Sequence, residues 1–410
     1  MANKNFVLFD PAHVKNLLPL AFTRPVADFR VGVLTLREKW KIYLKSDPLV
    51  LTQDYLQDLF PFEQKEGEFV YINASVIPNE NLGMAIESLN NDEVLKSERQ
   101  EVIAFKTNTR FESTAELFQT IEQHHTIEYA ESFDQIKHCW NIFQLNGSQI
   151  KADVALFKDE FINNSNLLGN ALSVSNSNQI FIEDGAEIGA CILNASKGPI
   201  VISKDAIIMD GAIIQGPVSI GEHAVIKMGA KIYGETTIGP HCKVGGEVSN
   251  SVLFAYSNKG HDGYLGNSVL GEWCNLGADT NNSNLKNNYS EIKCWSYNEQ
   301  DYIKTGLQFC GLIMGDHCKS GINTMFNTGT VAGVAANIFG AGFPNKFIPS
   351  FSWGGCDGFS TFRLEKAYEM AKNMMDRRGI EFTAEHKAVF KHIFKETNGF
   401  RQLTPNQEYL

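Results

Sequence analysis

From Ile202 onward, every sixth residue is a β-branched aliphatic: Ile202, Ile208, Ile214, Ile220, Ile226, Ile232, Ile238 and Val244. An α-helix repeats every 3.6 residues and a strand every two, so neither element produces this spacing. A hexapeptide β-helix does, because each repeat supplies one flat face and one corner, with its aliphatic side chain pointing into the coil. Alanines stand two positions before several of these residues (Ala206, Ala212, Ala224, Ala230), and glycines follow others (Gly221, Gly239, Gly245). Three repeats close one triangular turn, so residues about 18 apart stack into columns. The pattern starts at Ile182 and Ile188, pauses, and runs from 202 to 244. It is interrupted over 247–264 and returns at Leu265, Leu270 and Leu276. After an irregular stretch over 280–310, Gly315, Gly321 and Gly333 are in phase again. Insertions into such a solenoid are expected to leave it as loops and to carry the site.

The flanking zones have different periods. Phe6–Phe9, Val50–Thr52 and Phe69–Ile72 read as strands, and Val33–Lys45 and Thr114–His124 have helical spacing. Alternating strands and helices predict an α/β layer with a largely parallel sheet. Towards the other end, Phe362–Arg377 and Ala384–Thr397 read as amphipathic helices, placed to cap the open end of the β-helix. The predicted organisation is an α/β domain over 1–157, a β-helix over 158–355 with 158–179 as its lead-in, and a helical segment over 356–410.

Composition narrows the class. The 410 residues carry a net charge of −11, which argues against nucleic acid as a partner. No run of about 18 apolar residues predicts a membrane span, and the first residues lack the pattern of a secretory signal. The eight cysteines form no C-x-x-C pair and read as reduced, buried thiols, so the expectation is a cytoplasmic protein.

The chemistry concentrates in the block from Lys259 to Thr280, KGHDGYLGNSVLGEWCNLGADT. Its G-H-x-x-Y-L-G string is followed, fourteen residues after His261, by N-L-G-A-x-T. This block resembles the acetyltransferase half of bifunctional sugar-1-phosphate nucleotidyltransferase/acetyltransferases, including those that make UDP-N-acetylglucosamine. The resemblance implies a left-handed parallel β-helix behind a nucleotidyltransferase-like domain, acetyl-CoA as co-substrate and an amino-sugar phosphate as acceptor, with sites formed between the subunits of a homotrimer. It makes His261 the general base that takes a proton from the sugar amine, a task that suits an imidazole. Tyr264 and Asn275 fall where the family positions the sugar and the reacting groups, although Asn275 also suits a plain corner role. Asn284 and Lys286 resemble the downstream substrate-holding residues, with a solvated Asn-rich loop as the alternative. Glu247 either orients His261, binds sugar hydroxyls, or is structural. The thioester donor is expected near Lys319, Ser320 and Ala332. One departure is Asp279, which stands where the family has Gly. Asp205, His223 and His241 share a column, but a ladder with a step of about 5 Å spreads them too widely for one zinc, so no metal site is expected.

The segment containing Arg24, Pro25 and Arg30 resembles the start of sugar nucleotidyltransferases but lacks their Gly-rich phosphate loop, so Arg24 and Arg30 are candidate phosphate ligands with salt bridges as the alternative. If this half is active, it needs UTP or dTTP and Mg2+. Three functions remain open at this point. The first is acetyl transfer to an amino-sugar 1-phosphate such as glucosamine 1-phosphate. The second is nucleotidyl transfer with the β-helix serving assembly, and the third is a non-catalytic sugar-nucleotide-binding scaffold.

Overall fold

The computed structural model describes residues 4–63, 65–157 and 165–402. Residues 158–164, the start of the expected lead-in, lie outside the described residues. The chain forms two compact units. The first comprises Met1–Leu17, Thr23–Phe29 and Leu34–Lys137; the second comprises Leu18–Phe22, Arg30–Val33 and His138–Leu410.

The first unit is built on a six-stranded sheet in the order β2-β1-β3-β5-β4-β6. Its strands are β1 (Lys4–Phe9), β2 (Leu49–Leu51), β3 (Glu68–Asn73), β4 (Glu93–Ser97), β5 (Val102–Thr107) and β6 (His125–Tyr129). β1 pairs in parallel with β2 and β3, and β4 with β6, whereas β5 runs antiparallel to both of its neighbours, so the sheet is mixed. Helices α1 (Leu36–Leu44), α2 (Asp54–Gln57), α3 (Glu80–Glu87) and α4 (Thr114–Ile121) complete the unit. α1 begins at a capping box, in which Thr35 Oγ1 accepts from the Glu38 amide and Glu38 returns a carboxylate to the Thr35 amide. Phe9, Tyr71, Phe105, Phe111 and Leu117 form its core.

The second unit is a triangular coil of parallel sheets, the β-helix that the hexads predict. Its first face starts at Ser173–Ser175, its second at Ile180–Ile182 and its third at Glu187–Ile188, and the latter two grow to nine and ten strands. The eight aliphatics from Ile202 to Val244 all point inward, each at most 2% exposed. Ile202 pairs with Ile220 and Ile220 with Ile238, the expected eighteen-residue step.

The break over 247–264 is not an inserted loop. Ile238 pairs with Leu253, only fifteen residues on, and Val244 pairs with Lys259 in the same way. The coil continues with shortened corners, which shifts the six-residue phase while leaving the ladders intact. Close contact at such corners needs glycine: a Cβ on Gly239 would lie 1.5 Å from the Phe254 carbonyl oxygen. The true insertion comes later, because Leu270 pairs with Met314. The intervening chain includes an antiparallel hairpin, Lys293–Ser296 with Asp301–Lys304, whose Trp295 stacks on Phe347 at 4.1 Å between ring centroids.

Three helices follow the coils: α6 (Leu364–Asp376), α7 (Ala384–Glu396) and α8 (Asn398–Gln402). They reach the last coil, where Arg401 of α8 donates to the Ser350 carbonyl and Phe400 meets Phe347 edge to face. Phe390 of α7 packs against His317 and Phe351 along one corner of the coil, and Arg378, just past α6, donates to the His241 carbonyl several coils away. The third face ends with Gly358–Thr361 folding back antiparallel on Ser352–Gly355. Ahead of the coil, α5 (Cys139–Phe157) lies on the second face. Its buried Asn146 accepts from the Gly32 amide and the Thr237 hydroxyl and donates to the Glu235 carbonyl, so every polar group there is satisfied. Among the described residues, no helix is long and apolar enough to cross a membrane.

Core and corner positions of one coil should respond differently, Ile226 in the strand Val225–Ile226 and Met228 in the turn after it. Ile226→Ala removes a side chain with no exposure and should cost about 2–5 kcal/mol in urea unfolding. Met228→Ala, at 71% exposure, should stay within about 0.5 kcal/mol of the parent. Equal costs would contradict the inward ladder.

Candidate functional site

His261 and Asp262 form the corner between the third-face strand Asn258–Lys259 and the first-face strand Tyr264–Gly266. Three residues shape this corner. Gly263 has φ of +114°, and a Cβ there would lie 2.3 Å from the Thr280 carbonyl oxygen. Lys259 occupies the inward slot that Val244 and Leu276 fill in the coils on either side, and it is 2% exposed. Its ammonium donates to the carbonyls of His261 and Asp262, which ties the corner down from inside. Burial pushes the Lys259 pKa down to about 8, against the opposing pull of Asp262 and Asp279. Asp279 occupies the matching corner one coil on, where its amide donates to the Asp262 carbonyl. Its φ is +56° and its carboxylate faces solvent. The departure from Gly is therefore a backbone substitution, since Asp is among the residues that tolerate this conformation.

The His261 imidazole is exposed at the rim of a cavity of about 400 Å3 on the third face. Asn258 and Asn275 line it from one outward column, with their amides 3.4 Å apart. Tyr256 and Trp273 close one side. They belong to a corner ladder of left-handed residues, His223, His241, Tyr256, Trp273 and His317. Their rings stack in that order at centroid distances of 4.9, 4.8, 4.2 and 6.1 Å. Four cations border the cavity: Lys243 from the strand Lys243–Val244, Lys227 from just past the strand Val225–Ile226, and Arg377 and Arg378 from the end of α6. Desolvation and the three neighbouring cations all lower the Lys243 pKa. The sequence reading missed this quartet. Its only local trace is the adjacent arginine pair, which reads equally well as a solvated helix end.

The predicted residues divide between two faces. His261 and Asn275 share the cavity. Tyr264 and Glu247 are register partners on the first face, and the Tyr264 hydroxyl accepts from Asn284, which also donates to Asn267 at 2.7 Å. Lys286 donates to the Glu291 carbonyl and so ties down the inserted segment. Lys319 donates to the Trp273 carbonyl at 2.6 Å, Ser320 bonds the Thr280 hydroxyl, and Ala332 is buried.

The column of Asp205, His223 and His241 exists, but His241 stacks on His223. The group close enough to share an ion is Asp205, Glu222 and His223, with ligating atoms within 4.8 Å of one another on the surface.

In the first unit, Arg24 is buried and close enough to Asp28 to lower its pKa, against the larger upward push of burial. Arg30, in the second unit, donates to the Val33 carbonyl. The carboxylates of the first unit do not fit a magnesium site at the end of β1. Both Asp10 oxygens are engaged, one by the Val26 amide and one by the Thr52 hydroxyl, and burial pushes its pKa up to about 6. Asp28 is ion-paired with Arg37 at 2.9 Å.

Residues 6–161 match a family model described as sugar nucleotidyl transferase. A bifunctional sugar-1-phosphate nucleotidylyltransferase/acetyltransferase of Sulfurisphaera tokodaii is 31% identical over 224 residues, covering 54% of this chain and 48% of that protein. A bifunctional protein GlmU of Methanocaldococcus jannaschii is 32% identical over 87 residues, 21% of each chain. The chain thus spans about half the length of the first relative and about a fifth of the second. Among solved structures, a mutant of AntD, an N-acyltransferase from Bacillus cereus, in complex with dTDP-4-amino-4,6-dideoxyglucose and coenzyme A, aligns with 51% of this chain and 92% of its own. The identity is 14% and the TM-score 0.22. The family-model match and the curated relatives bear out the resemblance to the bifunctional nucleotidyltransferase/acetyltransferase family.

The buried lysine yields a pH test. The Lys259 ammonium keeps its proton to about pH 10.5 in the unfolded chain and only to about 8 when folded. Between these values the unfolded state binds the extra proton, so stability contributed by this position rises with pH. The unfolding midpoint of the parent should therefore gain on that of Lys259→Met between pH 8 and 10. A difference that stays flat with pH would contradict the burial of the ammonium.

Proposed function

We propose that the second unit transfers an acetyl group from acetyl-CoA to the amine of an amino-sugar 1-phosphate, with glucosamine 1-phosphate as the first candidate. The observation that carries the reading is His261 at the rim of a cavity bordered by four cations, with Asn275 beside it. The curated relatives, named for both activities, support the same class of reaction.

In this reading the anionic sugar phosphate and donor are attracted to the basic cavity. The amine nitrogen attacks the thioester carbonyl, forming a C–N bond as the C–S bond breaks. His261 takes the proton released by nitrogen and returns one to the departing sulfur. Backbone amides stabilise the oxyanion, and no acyl-enzyme forms. Lys259 acts through His261 by fixing its backbone, so it is a positioning residue. Tyr264 lies on the strand that leaves the His261 corner, Glu247 on the strand beside it, and Asn284, just past the strand Asn281–Asn282, donates to the Tyr264 hydroxyl; the set is read as a sugar-facing surface.

Assembly as a homotrimer follows the family resemblance. The free cysteines, seven of them buried, with Cys294 and Cys310 joined by a thiol–thiol hydrogen bond at 3.5 Å, support a reducing, cytoplasmic setting. For the first unit, nucleotidyl transfer with UTP or dTTP is a second reading, favoured by the family-model match over 6–161. The committed oxygens of Asp10 and the Asp28–Arg37 pair weigh against it.

Free thiol should appear when the full chain meets glucosamine 1-phosphate and acetyl-CoA. His261→Ala should lower that rate by roughly 10²–10⁴-fold with unchanged unfolding and unchanged mass in light scattering. An unchanged rate would sink the proposal. Pyrophosphate release from UTP or dTTP with sugar phosphates, in a separate mix, decides the second reading, and silence in both assays would leave the scaffold reading in possession.

A further inference from the structure

The four cations around the cavity have a composition that a sugar monophosphate does not explain. Lys243 projects from the third-face strand Lys243–Val244 and Lys227 from the position just past the third-face strand Val225–Ile226, while Arg377 and Arg378 arrive from the helical hairpin that follows the coils. None of the four is ion-paired with a carboxylate among the described residues. Burial first, and then the charges of Arg378, Lys227 and Arg377, lower the Lys243 pKa. Like charges gathered this way are held there at a cost unless an anion joins them. A phosphate monoester brings only about −1.5 to −2 at neutral pH, which leaves roughly half of the quartet unanswered. The Arg378 guanidinium is also held by the His241 carbonyl, which fixes the helix end against the coil without neutralising it. A cavity of about 400 Å3 falls in the range, roughly 300–1,000 Å3, that small-molecule sites occupy.

We propose that Lys227, Lys243, Arg377 and Arg378 form a diphosphate subsite, so that a ligand reaching His261 through this cavity is held by two linked phosphates. The inference rests on the reading of the cavity as the transfer site. The two lysines act as point charges on one phosphate, and the two arginines, with their planar forks, engage the other. Two ligand types carry a diphosphate in such a reaction: the coenzyme A donor and an acceptor whose amino sugar is linked to a nucleoside diphosphate.

Calorimetric titration of the full chain with coenzyme A, with UDP and with inorganic phosphate tests the subsite. The parent should bind at least one of the two diphosphates about tenfold or more tighter than inorganic phosphate. The doubles Arg377→Ala/Arg378→Ala and Lys227→Met/Lys243→Met should each weaken that ligand about tenfold or more. The pair Arg377→Lys/Arg378→Lys should recover part of the loss, which separates charge loss from damage to the fold. Loss confined to coenzyme A assigns the subsite to the donor, and loss confined to UDP assigns it to a nucleotide-linked acceptor. Failure of both to bind the parent, affinities equal to that of inorganic phosphate, or affinities untouched by both doubles would each overturn the proposal. The His261→Ala variant keeps the two readings apart. Diphosphate binding without any His261-dependent thiol release would leave the subsite standing and remove acetyl transfer. His261-dependent release with binding indifferent to the quartet would do the reverse.

Discussion

Parallel pairing between successive coils governs the second unit. Each coil must offer an inward aliphatic over the one below, so whatever stands at a corner stands over its counterpart in the next coil. The corner ladder from His223 to His317 is a direct result, with rings stacked because their backbones are stacked. The His261 corner obeys the same rule. Its backbone is clamped between Gly263, which must pass under the Thr280 carbonyl, and Lys259, which holds it from within. Rigidity of the coil is thereby passed to an exposed imidazole, the condition for a group that must meet a substrate in one geometry.

That constraint explains which features were legible in the amino-acid sequence. The inward positions repeat every six residues wherever coils have full length, so the β-helix could be read from Ile202 to Val244. Where corners shorten, the phase shifts although the ladder does not, and the stretch over 247–264 reads falsely as an inserted loop. Lys259 hides for a related reason: a charged residue in an aliphatic slot breaks the very pattern used to locate the slot. α5 carries Asn146, Gln149 and Asp153 on its buried side, so its hydrophobic periodicity is diluted and no helix stands out. The mixed sheet of the first unit was equally opaque, because the reversed direction of β5 depends on tertiary pairing alone.

The site was legible in part. His261 and Asn275 were identified from a linear motif and meet at one cavity. Tyr264 was identified from the same motif, Asn284 from the downstream resemblance and Glu247 from the stretch before the motif; Tyr264 and Glu247 are register partners on the first face, and a hydrogen bond joins Tyr264 to Asn284. The cationic border could not be read, because it joins two lysines of neighbouring coils to a helix end more than a hundred residues away. Proximity of that kind is a property of the fold. The first unit shows the reverse: Arg24 and Arg30 resembled phosphate ligands in sequence, yet Arg24 is buried near Asp28 and Arg30 is engaged by a carbonyl of its own turn.

The central claim is that chemistry occurs at the His261 corner, within the basic cavity of the third face. An experimental structure of the full chain with coenzyme A and glucosamine 1-phosphate bound would test it most directly. The account predicts phosphate density between Lys243 and Arg378 and a thiol or amine within hydrogen-bond reach of His261. Both ligands ordered elsewhere, with the cavity holding only solvent, would contradict it.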